Sequence, residues 1–191
     1  MDLHRIQFKF FIEDPASIGT EATVRVFNRW ISEAKDEVLV DVADYSHVPH
    51  GPVTLLAGHE ANYSIDNAGG ELGLLYARKQ PLEGDLDTRL LAACRAALGA
   101  CNRLEQDPEF EGKLRFRAGD LLFVANDRLS APNDEATRAA LEPVLGNLLK
   151  RLYGGADSEL TSEPDTRRLF SLRARTTDAS DTAALLANLA G

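Results

Sequence analysis

The chain has 191 residues, 44% of them hydrophobic and 27% charged, which supplies a packed core and excludes a disordered or fibrous protein. A formal charge of -9 and a pI near 4.9 oppose nucleic-acid phosphate and anionic lipid as partners, because both call for a basic surface. No run of about 18 apolar residues offers a membrane span, and Met1 to Arg5 leads into Phe8, Phe10 and Phe11 without the marks of a signal peptide, so a cytoplasmic location is expected.

Ile6, Phe8, Phe10 and Ile12 alternate with Gln7 and Lys9, predicting a strand that Asp14-Pro15 ends. Thr23, Val26, Phe27, Trp30, Ile31 and Ala34 recur at helical spacing between Glu21 and Lys35. Val38, Val40 and Val42 then form a second period-two run, carried into Ala43-Asp44-Tyr45. Turn-formers fill Ser46 to Pro52, where Pro49, Gly51 and Pro52 deny the chain a ladder or a helix. Val53 to Ala57 reads as a short strand, and Ala61 to Asp66 with Leu72 to Arg78 as a hairpin turning at Asn67-Ala68-Gly69-Gly70.

Leu86, Leu90, Cys94, Ala97, Cys101 and Leu104 make a long helical stripe, opened by Asp85 and Asp87 at the favourable end of the helix dipole. Leu114 to Arg117 and Leu121 to Ala125 suggest another hairpin, turning at Gly119-Asp120. A helix from Asn133-Asp134 to Leu152 should be kinked or divided by Pro143 and end at Gly154-Gly155. Ala156 to Asp165 reads as a polar connection, Phe170, Leu172 and Ala174 as a last strand, and Asp178 to Leu189 as a short helix. The expected class is α+β, a mostly antiparallel or mixed sheet of about six to eight strands with three or four helices packed on it. One domain over residues 1–191 is expected, with Gln80 to Gly84 the place where a subdivision would fall.

Three features carry candidate chemistry. His47, His50 and His59 with Glu60 hold the donor types of a catalytic zinc or iron centre, although Pro49 interrupts the first pair and no helical zinc-protease motif is present. A metal-dependent enzyme is therefore the alternative reading, with Glu60 or Asp66 as further ligand or base. In the run from Gly58 to Asp66, alternation sends His59, Ala61, Tyr63 and Ile65 one way and Glu60, Asn62, Ser64 and Asp66 the other. The second set reads as a solvated sheet face or one that contacts a ligand, the first as a buried face on which His59 and Tyr63 pair.

Asn126, Asp127 and Arg128 follow an apolar strand, where sites often form, but are equally turn and cap residues. His59, Tyr63 and Asp127 would serve metal-free acid-base catalysis only if they share a pocket. Cys94 and Cys101 belong to an apolar stripe and read as core. Gly69-Gly70-Glu71-Leu72-Gly73 lacks the ending of a P-loop and reads as a hairpin turn. Arg167, Arg168, Arg173 and Arg175 lack the interleaved aromatic side chains of a nucleic-acid platform and read as a strand face that pairs with acids or with a partner subunit. The leading expectation is a non-catalytic ligand- or protein-binding module, cofactor-free and able to form a homo-oligomer, with no nucleic acid and no membrane among its partners.

Overall fold

The computed structural model describes residues 1–48 and 50–190. In chain order it comprises β1 (Ile6–Ile12), α1 (Thr20–Glu33), β2 (Leu39–Asp44), β3 (Pro52–Gly58), β4 (Ala61–Asp66), β5 (Gly73–Arg78), α2 (Leu86–Glu105), β6 (Phe116–Ala125), α3 (Glu135–Leu152), β7 (Glu159–Ser162), β8 (Ser171–Arg175) and α4 (Thr182–Ala190). The strands form one eight-stranded sheet in the order β2-β3-β4-β5-β1-β6-β8-β7, and each neighbouring pair is antiparallel. The expected α+β class is thus observed, with four helices. Strands on both sides of Gln80 to Gly84 belong to the same sheet.

Alternation in β1 sets the core. Phe8 lies opposite Tyr76 on one side and Phe123 on the other, and Phe10 opposite Leu74 and Leu121, so these rings and aliphatic groups fill one sheet face. Against that face α1 packs on β2 and β3, α2 on β1 and β5, and α4 on β6, while α3 lies against α2 and α4. Residues of all four helices join this face in a single apolar core. Asp85 and Asp134 begin α2 and α3, their carboxylates accepting from the backbone N–H groups of Thr88 at 2.9 Å and Thr137 at 2.8 Å.

Four local expectations are corrected. Val38 and Val40, placed inward by period two, are 59% and 63% exposed, because a bulge between Leu39 and Asp41 shifts the register and buries Leu39 instead. The hairpin at Gly119-Asp120 is one long strand, β6. A Cβ on Gly119 would come within 2.3 Å of the Thr176 carbonyl oxygen, so this glycine permits a close chain approach and does not mark a turn. Pro143 does not divide α3, because it sits on the exposed side, where its missing N–H leaves the freed carbonyl to solvent. The connection between Ala156 and Asp165 contains β7, which pairs with β8 as an outer edge of the sheet.

Candidate functional site

Strand β4, the segment with the densest chemistry in the sequence, separates two environments. Toward the helices it sends Ala61, Tyr63 and Ile65; toward the other face it sends Asn62, Ser64 and Asp66, opposite Ala77, Leu75 and Gly73. His59 and Glu60 fall in the turn before the strand, so the expected buried His59 and Tyr63 pair does not form: His59 is exposed while Tyr63 is buried.

The face away from the helices is not the solvated surface that half-buried antiparallel sheets show. Ser64 and Asp66 are only 5% and 4% exposed there. Lys9 of β1 reaches over β5 and donates to Asp66 Oδ1 at 2.7 Å and to the Ala68 carbonyl at 3.3 Å. The same Asp66 oxygen accepts from the Ala68 backbone N–H at 3.0 Å, so loop and side chain close over the pair. Phe11, two residues along β1, has Lys9 Nζ 5.4 Å and the Arg173 guanidinium 4.1 Å from its ring centre. Arg173 in turn donates to both carboxylate oxygens of Asp120, at 2.7 Å each, and to those of Glu71 at 2.6 and 2.9 Å. These bonds hold the Glu71 carboxyl below its ordinary range and raise Arg173. Beside this charged cluster lie Leu55, Ala57, Leu75, Ala77, Leu122 and Val124, half-buried and outside the core that the helices share. Strand register places all six on this face.

On the helix side, Tyr63 donates to Glu37 Oε2 at 2.9 Å. Burial pushes the Tyr63 phenol up, and the Glu37 charge adds to the rise. Trp30 of α1 meets Tyr63 edge-on at 6.2 Å between ring centres, and the Arg103 guanidinium of α2 lies 4.4 Å from the Trp30 ring centre. Trp30, Glu37, Tyr63, Gly99 and Arg103 are among the residues that line a cavity of about 200 Å³.

The remaining sequence candidates are placed elsewhere. Asp127 closes a turn, its carboxylate accepting from the backbone N–H groups of Leu129 and Ser130 at 3.1 Å each, which lowers its pKa. Asn126 donates its backbone N–H to the Arg5 carbonyl at 2.9 Å, and Arg128 is exposed. No hydrogen bond among the described residues joins Asp127 to His59 or Tyr63.

The metal set His47, His50, His59 and Glu60 does not assemble. His47 and His50 belong to the β2–β3 connection and His59 and Glu60 to the β3–β4 turn, at opposite ends of a seven-residue strand. That strand spans about 23 Å, whereas a zinc ion holds its ligand nitrogens at about 2 Å. Among the described residues no three His, Cys, Asp or Glu side chains gather as a metal centre. Pro49, part of the same loop reading, lies outside the described residues.

A larger groove of about 980 Å³ lies where β6 begins and β8 ends, lined by Glu13, Glu105, Arg117, Asp120, Arg175 and Asp181 among others. Several of its charges serve the fold. Glu105 accepts from the Phe116 backbone N–H at 2.7 Å and from the Thr182 hydroxyl, and Asp120 is held by Arg173. Neither cysteine is a nucleophile here: Cys94 and Cys101 are buried, and burial pushes both thiols up, Cys94 to about 12.

Sequence reasoning missed Lys9, Glu37 and Glu71. Their partners lie 57, 26 and 102 residues away along the chain, and only the strand order brings them together. No helix among the described residues is long and apolar enough to cross a membrane. No protein-family model and no curated protein matches the chain.

Proposed function

We propose that the chain is a non-catalytic binding module whose helix-free sheet face packs against a second copy of itself. The observation that carries this reading is the half-buried aliphatic set Leu55, Ala57, Leu75, Ala77, Leu122 and Val124 on a face that no helix covers. The face is self-complementary. A two-fold axis running along β5 sets Leu75 on its own copy, β3 with Leu55 and Ala57 on β6 with Leu122 and Val124, and polar β4 on polar β1.

Strand and residue spacings give a contact of about 550 Å² per copy, or about 1,100 Å² for the pair, at the small end of specific interfaces. Sedimentation velocity tests the reading. The parent chain should sediment as a dimer at micromolar concentration, and Leu75→Glu, which sets two carboxylates against each other on the axis, should give a folded monomer. A parent chain that stays monomeric at high micromolar concentration, or a Leu75→Glu variant that stays dimeric, overturns it.

A further inference from the structure

We propose that the outer edge of β7 takes up an extended segment of a partner protein as an added antiparallel strand, and that this segment carries basic residues at alternate positions after an apolar one. The open backbone comes first. Only β8 neighbours β7 in the sheet. The Glu163 N–H donates to the Ser171 carbonyl at 3.2 Å, and the antiparallel alternation from that bond turns Thr161 and Glu159 toward β8 and Ser162 and Leu160 away from it. Leu160 and Ser162 thus each offer an N–H and a C=O outward, and no partner among the described residues takes them up. The edge ends where Asn133 Nδ2 reaches the carbonyls of Glu163 and Asp165, at 3.1 and 3.0 Å.

The other edge of the sheet is closed to this use. β2 bulges between Leu39 and Asp41, and the Asp41 carboxylate occupies the Val42 N–H at 2.9 Å, which alternation from the Tyr45 to Val53 bond turns outward. β7 has neither device, and its register with β8 is unbroken.

Charge names the occupant. Asp157 and Glu159 line the groove of about 980 Å³, and neither carboxylate has a hydrogen bond or ion pair among the described residues. Arg175, opposite Glu159 across the ladder, is turned to Asp120 at 3.6 Å. Leu160 packs toward the core on the other side of the strand. An added strand sets one side chain beside each of these: an apolar one at Leu160, and a cation at Glu159 and again, two residues further, at Asp157. In the antiparallel sense of every pair in this sheet, the segment reads apolar, basic, any, basic from its N-terminus. A second copy of β7 would bring its own Asp157, Glu159 and Glu163 to the same edge, so a basic partner suits it better. The inference concerns the edge of the sheet and stands apart from self-association through the helix-free face.

The probe is the peptide acetyl-Thr-Thr-Val-Arg-Thr-Arg-amide, its residues running opposite Ser162 to Asp157, followed by ¹H–¹⁵N correlation spectra at physiological salt. It should shift the Leu160 and Ser162 amide signals saturably at submillimolar concentration and slow their exchange with solvent. Two altered peptides should bind at least about tenfold more weakly: one with glutamate for both arginines, and one with N-methylvaline for valine, which loses the N–H that faces the Leu160 carbonyl but keeps the charge. Ser162→Pro removes an outward N–H and no β7 to β8 bond, and should weaken the parent peptide by about tenfold in a chain that melts like the parent. If that variant fails to fold, the N-methylated peptide decides. Absence of a saturable shift at β7 overturns the proposal. Equal affinity for the N-methylated or the glutamate peptide, or parent affinity in folded Ser162→Pro, overturns it as well.

Discussion

Lys9 and Asp66 form a buried ion pair, 2.7 Å from Nζ to Oδ1, although their strands are not neighbours: β5 lies between β1 and β4, and the lysine arm crosses it. Both side chains are almost wholly enclosed, on the face that no helix covers. Removing one charge should therefore cost more than removing both. Asp66→Ala leaves a buried ammonium and should destabilise the fold by about 3 to 5 kcal/mol, whereas Lys9→Met with Asp66→Leu should recover most of the loss. Urea unfolding of the two variants and the parent chain measures the difference.

The crossing depends on Gly73, which lies opposite Asp66 on one side and Phe11 on the other. A Cβ there would stand 2.4 Å from the Phe10 carbonyl oxygen and 3.0 Å from Lys9 Cε. Gly73→Ala should consequently destabilise the chain by about 1 to 3 kcal/mol through overpacking. Shortening the lysine should not rescue it, because the nearer obstacle is backbone. Thermal melting of Gly73→Ala alone and with Lys9→Ala checks both statements.

Glu71 provides a pH dependence. The Arg173 hydrogen bonds, and then the surrounding arginine charges, hold its folded-state pKa below the ordinary 4.5. A lowered carboxyl contributes stability that is fully present above the unfolded-state value and is lost as pH falls through the folded-state value. In Arg173→Met, the titration midpoint of the Glu71 carboxyl resonance should move back toward 4.5 by NMR, and the Glu71 share of acid destabilisation should shrink, Arg117 and Arg175 keeping the remainder. An unchanged midpoint in the variant would show that Arg173 is not the cause.

Cys94 and Cys101 should be inert in the folded protein, since both are buried and their thiols are pushed up. A chromogenic disulfide reagent at neutral pH should release almost nothing from the native chain and two equivalents after denaturation. Rapid native labelling would contradict the packing of α2 described above.

What the sequence made legible is what depends on near neighbours. Alternation at Ile6, Phe8 and Phe10, the stripe from Leu86 to Leu104 and the Asn67 to Gly70 turn each express a local rule, and the structure follows them. Where a residue answers to a distant segment, the local rule fails. Gly119 resembles a turn residue but accommodates Thr176, and Val40 resembles an inward residue but stands on the bulge of an edge strand. In the candidate site the same division holds. Tyr63 and Asp66 were visible as a polar and aromatic concentration on one strand, but Trp30, Glu37, Gly99 and Lys9 give them their surroundings, and no spacing in the chain announces those partners.

The central place of β1 also shapes how the chain is made. Within this chain β1 precedes both of its partners, so one hydrogen-bonding edge stays open until Gly73–Ala77 of β5 have been synthesised and the other until residues as late as Ala125 of β6. Phe8 and Phe10, fully buried in the finished fold, lack the Phe123 and Leu121 side of their packing until β6 arrives, and an open strand edge is an adhesive one. A strand order that sets β1 between two later strands thus makes its completion the last step in closing the middle of the sheet.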